Sequence, residues 1–133
     1  MIKYLLDTNI CIYIIKKSPQ KVFEKIKTLK IGEVAISSIT YCELQFGVSN
    51  SSSQEKNQNA LNGFLSSIEI LDFPSASAIL YGEVCSHLKK KGIPIGPLEL
   101  LIGTHALFAD VTLVTNNVKE FKRIPKLKME NWA

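Results

Sequence analysis

Short apolar runs alternate with longer stretches of mixed apolar and polar residues along the whole chain. The runs are rich in Ile, Leu and Val, and polar or turn-forming residues end them. Continuous apolar runs of about four to eight residues are typical of strands that are buried on both faces of a parallel sheet. The predicted strands are Ile2–Leu6, Glu33–Ser37, Ile68–Leu71, Val111–Thr115 and a last one from about Leu127 to Glu130.

The stretches between these runs carry apolar residues at helical spacing. Local signals mark several ends: Thr8 is a predicted N-cap, Pro97 takes a first helical position, and Gly92 ends the helix before it. The polar segment Ser49–Ser53 is the best loop candidate. The predicted helices are Asn9–Lys17, one opened by Pro19, Ile39–Phe46 ending near Gly47, about Gln54–Ser67, Pro74 to Lys91, Leu98–Ala109 and a short turn near Phe121.

Strands that alternate with helices imply crossover connections, which make neighbouring strands parallel and place helices on both faces of the sheet. We therefore predict a three-layer α/β/α fold with a central parallel sheet. A chain of 133 residues has room for one hydrophobic core region and not for two domains, so residues 1–133 are predicted to form a single domain.

Composition excludes several classes of protein. No uncharged apolar run approaches the ~20 residues that cross a bilayer, and Asp7 interrupts the apolar N-terminal stretch, so neither a membrane span nor a signal peptide is predicted. The three cysteines lie far apart and form no Cys/His cluster, so a zinc site has no support. We expect buried, reduced thiols in a cytoplasmic protein.

The formal net charge is +4, and Arg123 is the only arginine. Lysines attract phosphate groups but lack the planar fork that reads a guanine edge, so the excess charge favours a partner bound through its phosphate backbone. The alternative interpretation of the charge is a solvated, lysine-rich surface.

Acidic and amide residues follow the predicted strands. Asp7 ends the first strand, Glu43 lies about a turn into the helix after the second, Glu99 lies in the first turn of its helix, and Asn117 follows the Val111 strand. The carboxyl ends of parallel strands share one edge of the sheet, where ligands bind. No lysine or arginine lies within four residues of Glu43 or Glu99. Converging acids without cations repel one another, and a divalent cation resolves that repulsion.

Each of these acids also has a structural interpretation. Asp7 could accept hydrogen bonds from the turn that begins the next helix. Glu43 could face solvent, and Glu99 could be stabilised by the helix dipole. The joint pattern of three acids at one edge is what favours a metal site.

The ordered motifs of the chain resemble those of VapC toxins, which are PIN-domain proteins. The likeness is collinear over the whole chain. The matching segments are Leu6-Asp7-Thr8-Asn9, Ser37 to Leu44 around Glu43, Gly96 to Ile102 around Glu99 with His105-Ala106-Leu107, Leu113 to Asn117, Glu120-Phe121, and Glu130-Asn131-Trp132.

This resemblance implies the toxin half of a VapBC toxin–antitoxin pair, an endoribonuclease that inhibits translation, with tRNA among the RNAs that relatives cut. Carried over by position, Asp7, Glu43 and Glu99 bind Mg²⁺, or Mn²⁺ in its place, and Asn117 completes the catalytic group. The implied partners are RNA, a VapB-type antitoxin and a second copy of the chain, with DNA contacted only through the antitoxin.

Two positions depart from the family pattern. The third acid is usually aspartate and here is Glu99, whose carboxylate reaches about 1.5 Å farther. Asn117 stands where the family has Asp or Asn, and it adds no charge. One alternative is therefore a catalytically weak PIN fold that binds an antitoxin or RNA. A phosphatase with Asp7 as nucleophile is disfavoured, because that chemistry requires an acid where this chain has Asn9.

Other polar residues near the motifs remain open to two interpretations. Thr8, Asn9, Thr115 and Asn116 either support the acids and contact phosphate, or cap helices. His105 is interpreted as structural, because it lies on a different helix face from Glu99. Trp132 and Tyr81 are interpreted as packing residues.

Overall fold

One five-stranded sheet runs through the middle of the protein in the computed structural model, which describes residues 1–133. Every neighbouring pair of strands is parallel, and the order is β3-β2-β1-β4-β5. The strands are β1 Tyr4–Leu6, β2 Val34–Ser37, β3 Glu69–Leu71, β4 Thr112–Val114 and β5 Met129–Glu130. The predicted α/β fold with a central parallel sheet is confirmed.

Seven α-helices connect and cover these strands. The helices are α1 Thr8–Lys16, α2 Gln20–Lys27, α3 Ser38–Ser49, α4 Gln54–Leu65, α5 Ala78–Lys91, α6 Pro97–Ala109 and α7 Val118–Phe121. None of them is long and apolar enough to cross a membrane.

The hydrophobic core lies on both faces of the sheet, because neighbouring strand residues point to opposite faces. Leu6 and Val114 pack into one cluster with α1, α2 and α4. Leu5 and Leu113 pack into the other with α5 and α6. These strand residues are fully buried, which explains why the central strands appear in the sequence as largely apolar runs. The outer strand β3, by contrast, carries exposed Glu69 and Ile70.

The strand order places a topological switch point at the centre of the sheet. From β1 the chain proceeds outwards through β2 and β3 on one side, and it then returns to β4 on the other side of β1. The connections after β1 and β4 therefore leave in opposite directions and open a crevice at the carboxyl ends of the strands. Asp7 follows β1 at this point, and Thr115 follows β4.

Several predicted element boundaries were wrong. The N-cap of α1 is Asp7, so Thr8 is the first helical residue. Helix α3 continues through Gly47, which lies open in a helical conformation and needs no special backbone geometry. Pro74 opens a single 3₁₀ turn, Ser75–Ser77, before α5 begins.

The last strand and one cysteine also differ from expectation. Strand β5 contains only Met129 and Glu130, and Leu127 packs into the core before the strand starts. All three cysteines are free, as expected, and Cys11 is buried. Cys42 is exposed on the outer face of α3, so its predicted burial was wrong, and Cys85 is only partly buried.

Candidate active site

Asp7 lies at the switch point and is held there by β4 with the residue that follows it, and by the first turn of α1. Its backbone N–H donates to the carbonyl oxygen of Val114 at 3.0 Å. Its Oδ1 accepts from the Ile10 N–H at 2.9 Å, and its Oδ2 accepts from the Thr115 hydroxyl. Asp7 is only 5% exposed. Burial raises the pKa of Asp7, and the negative charge of Glu43 adds to that rise.

Thr115 connects Asp7 to Asn117. Its fully buried hydroxyl donates to Asp7 and accepts from the backbone N–H of Asn117 at 2.9 Å. The chain after β4 therefore turns back over the edge of the sheet. Thr115 thus acts as a supporting contact for an acid, one of the two interpretations that the sequence left open.

Glu43 reaches the same edge from α3. Its Oε1 accepts a hydrogen bond of 2.6 Å from the hydroxyl of Thr8, the residue after Asp7. Glu43 is half-buried and makes no ion pair. Ser37 positions this helix by accepting from the Ile39 N–H at 3.1 Å, and its hydroxyl lies 2.8 Å from Nδ1 of His105.

Glu99 and Asn117 meet on the other side of Asp7. The amide nitrogen of Asn117 donates to Glu99 Oε2 at 3.3 Å and to Glu120 Oε2 at 2.8 Å. Partial burial raises the pKa of Glu99. The hydrogen bond to Glu120 and the negative charge of Glu120 raise it further, and the charges of Glu43 and Asp7 add to the rise. The structure thus brings all four predicted site residues to one edge of the sheet.

Glu120 is a fourth acid of this cluster, and the sequence interpretation missed it as a site residue. The side-chain amide of Asn117 and the backbone N–H of Gly96 donate to its two carboxylate oxygens, and these bonds lower the pKa of Glu120. The available signal was its position three residues after Asn117 in a short helical turn. That spacing places the two side chains on one helix face.

None of the four carboxylates of Asp7, Glu43, Glu99 and Glu120 forms an ion pair, although the charge of nearby Arg123 contributes to the lowered pKa of Glu120. The two ion pairs of the protein, Lys3–Glu33 and Lys128–Asp110, lie elsewhere. The cluster therefore concentrates negative charge around a buried aspartate, a situation that a bound cation relieves.

The donor set fits a hard divalent cation. Carboxylate and amide oxygens are the ligands that Mg²⁺ and Mn²⁺ prefer, and no competing thiolate or imidazole belongs to the cluster. In the arrangement seen, no three acidic, histidine or cysteine side chains lie together as a group that could hold a metal ion. Glu43 is instead bonded to Thr8, and Glu99 turns towards Asn117 and Glu120.

The other residues singled out from the sequence lie around this cluster. Asn9 is exposed. Asn116 donates from its amide to the Tyr13 hydroxyl at 2.7 Å. His105 is buried, bonded to Ser37 and edge-on to Phe73, which agrees with a structural role.

The aromatic residues also behave largely as expected. Trp132 is buried against Tyr4, whose ring centroid lies 5.3 Å away in an edge-on arrangement. Tyr81 lies on α5 and packs at the margin of the core cluster on that face of the sheet. Both are packing residues.

Comparisons with known proteins agree on the kind of protein this is. Residues 4–127 match the family described as PIN domain. Ribonuclease VapC2 of Rickettsia felis is 51% identical over 130 residues, which cover 97% of each chain. The tRNA(fMet)-specific endonuclease VapC of Salmonella typhimurium is 40% identical over 133 residues, which cover 100% of each. The crystal structure of VapBC2 from Rickettsia felis bound to a promoter DNA fragment is similar over 100% of each chain, with a TM-score of 0.93 and 49% identity.

A parallel sheet with acids at its switch point, together with the match over residues 4–127, defines a PIN-domain protein. The similarity over nearly the full length places it more narrowly. The chain belongs to the PIN-domain family and, within it, to the VapC ribonucleases.

Proposed function

We propose that this protein is a metal-dependent endoribonuclease that acts as the toxin of a type II toxin–antitoxin pair and inhibits translation by cleaving RNA. The observation that carries the proposal is the cluster of four carboxylates and one amide at the switch point of a VapC-type fold, with no ion pair to any of the four acids. Relatives named as ribonucleases and as a tRNA-specific endonuclease support RNA, with tRNA included, as the substrate class.

Asp7, Glu43 and Glu99 hold the metal in this proposal, with Asn117 and Glu120 beside them. Bound magnesium, or manganese in its place, would supply an activated water and neutralise the charge that develops on the phosphate. Thr115 and the Ile10 N–H fix the carboxylate of Asp7, so that ligand is in place before metal or RNA arrives.

The RNA backbone is attracted by positive charge that continues from the site. Lys119, Lys122 and Arg123 lie within six residues after Asn117, and Lys126 and Lys128 come next. Only Lys128 is engaged in an ion pair, with Asp110. Arg123 donates to the carbonyl oxygen of Pro94 at 2.8 Å. Lys119, Lys122 and Lys126 make no ion pair and are available to phosphate groups, whose attraction to lysine weakens as salt rises.

A VapB-type antitoxin is the proposed protein partner. An open groove between α1, α3 and α4 is lined mostly by apolar side chains, including Ile12, Leu44 and Leu61, and Glu43 stands on its wall. An antitoxin segment in this groove could place an arginine among the acids, where a fixed cation competes with metal. We also expect a homodimer, contact with DNA only through the antitoxin, and a cytoplasmic location.

The test is cleavage of RNA by the purified protein across a Mg²⁺ titration, with EDTA as the zero point. Asp7→Asn keeps the side-chain shape and the cap of α1 but removes one charge. Cleavage should fall by at least ~100-fold, the upper end of the effect of losing a partner of a metal ligand. Asp110→Asn is the matched control, since Asp110 is exposed at the C-terminal end of α6.

Equal cleavage by Asp7→Asn and the parent protein would contradict the assignment. RNA or antitoxin binding without any metal-dependent cleavage would instead support the alternative, a catalytically weak PIN fold that acts as a binding module. Expression of the chain alone should slow growth, and co-expression of its antitoxin should restore it.

A further inference from the structure

Gly96 has no backbone reason to be glycine. It is the N-cap of α6 with φ −57° and ψ 145°, a conformation open to every residue. Gly32 and Gly92, by contrast, have positive φ values that favour glycine. The reason for a glycine at position 96 must therefore lie in the space around it.

That space is filled by the carboxylate of Glu99. A Cβ atom at position 96 would lie 2.9 Å from Glu99 Oε1 and 3.4 Å from its carboxyl carbon, and the first distance is closer than real Cβ contacts come. Glu99 is the third residue of α6, and an acid at that position points back towards the N-cap. Its carboxylate consequently lies where the methyl group of an alanine would be.

The backbone N–H of Gly96 holds the second glutamate. It donates to Glu120 Oε1 at 3.1 Å. An acid in the position of Glu99 ordinarily takes this donor in a capping box. Here Glu120 takes it from α7, and Asn117 bonds to both acids at 3.3 and 2.8 Å. The two carboxylates therefore meet directly above Gly96.

We propose that Gly96 is a positioning residue of the acid cluster: the missing side chain makes room for Glu99 to fold back, and the backbone N–H fixes Glu120 beside it. The activity part of this inference rests on the proposed ribonuclease function. Its physical basis is steric. The atom that an added methyl group meets is the far end of a flexible side chain, so Glu99 moves while the surrounding fold stays in place.

Gly96→Ala should accordingly lower RNA cleavage without lowering stability. Displacement of a catalytic group by about 1 Å can cost ~100-fold in rate, so we expect a loss of roughly 10- to 100-fold. The thermal midpoint should not fall, because alanine accepts the backbone conformation at this position. The matched control is Gly82→Ala, since Gly82 is exposed on α5 with nothing within 4 Å of its added Cβ.

The same substitution in a Glu99→Asp variant separates the displacement of Glu99 from a general effect of the added methyl group. Glu99→Asp shortens the acid and withdraws it from position 96. In that background Gly96→Ala should change cleavage by less than about two-fold, the scatter expected of independent sites. An equal loss in both backgrounds would overturn the proposal.

A metal-free readout makes the inference independent of the enzymatic assay. Carbon-13 NMR of the side-chain carboxyl groups at neutral pH should show shifted Glu99 and Glu120 signals in Gly96→Ala and unshifted ones in Gly82→Ala. Unchanged signals in Gly96→Ala would refute the positioning role even if cleavage fell. If no variant cleaves RNA, the proposed function fails, while the NMR comparison still decides the role of Gly96.

Discussion

Replacement of Thr115 by valine removes the hydroxyl that connects Asp7 to Asn117, with little change in shape. Thr115 is fully buried, and its hydroxyl donates to Asp7 Oδ2 and accepts from the Asn117 N–H. After the substitution a largely buried carboxylate loses a donor. Thr115→Val should therefore destabilise the fold.

The size of the destabilisation by Thr115→Val follows from the negative charge on the Asp7 carboxylate that accepts the hydrogen bond. A hydrogen bond to a charged group contributes about 1.5–3 kcal/mol, and the free energy of unfolding should fall by that amount at pH 7. For a domain of this size each kcal/mol shifts the thermal midpoint by roughly 3–5 °C, so a decrease of about 5–15 °C is expected. The measurement is thermal and urea unfolding in EDTA, which keeps bound metal from contributing.

Two other threonines supply the control. Thr40 and Thr104 are also fully buried, but their hydroxyl oxygens have no hydrogen-bond partner. Thr→Val at either position removes an unsatisfied polar group, so stability should stay equal or rise. A loss at Thr104→Val as large as at Thr115→Val would show that any buried hydroxyl behaves alike, and it would refute the argument from the Asp7 bond.

The pH dependence tests the same bond through its charge. Burial raises the folded-state pKa of Asp7 above the ordinary value of 3.8. Protonation of Asp7 therefore stabilises the fold below pH 3.8, and this contribution is lost as pH rises through the raised pKa. Loss of the Thr115 bond raises this pKa further, because that bond favours the charged form. The penalty of Thr115→Val should shrink to about 1 kcal/mol near pH 3, where the bond is to a neutral carboxyl group. A penalty independent of pH would contradict this account.

Two further predictions concern α6. Gly103→Ala adds a methyl 2.5 Å from the Ile124 Cδ1 atom. Such overpacking should lower the free energy of unfolding by about 1–3 kcal/mol, while Gly82→Ala should not. Equal unfolding midpoints for the two variants would contradict the close approach. Burial lowers the pKa of His105 below its ordinary value of 6.5. The neutral imidazole therefore contributes stability above pH 6.5, and this contribution is lost as pH falls through the lowered pKa. His105→Phe should remove that part of the acid sensitivity in urea unfolding, and an unchanged profile would exclude His105 as its source.

Much of the fold was predictable because its signals are local. The central strands are largely apolar runs, and Pro97 and Gly92 mark helix ends through their own backbone constraints. The convergence of Asp7, Glu43 and Glu99 was also predictable, since parallel strands with helical crossovers bring their carboxyl ends to one edge. Boundary errors arose where a local signal was ambiguous, as at Thr8, where the aspartate before it is the stronger cap.

Tertiary structure alone decided how these acids are held. The Thr115 hydroxyl bonds to Asp7 across 108 positions of the chain, and the Thr8 hydroxyl bonds to Glu43 across 35. Neither pairing follows from spacing, because each depends on which strands are neighbours. The order β3-β2-β1-β4-β5 sets those neighbours, and strand patterns are nearly the same for every permutation of buried strands.

Glu120 shows most clearly which features depend on the local sequence and which depend on tertiary packing. The sequence determined that a short helical turn follows Asn117, and local hydrogen bonding is enough to form it. Only packing decided that this turn lies against α6, where Phe121 and Ile124 approach Gly103 closely enough to exclude a side chain there. That contact carries Glu120 to the N-terminus of α6. Local propensity depends on neighbouring residues in the chain, whereas the acid cluster depends on which distant surfaces bury one another.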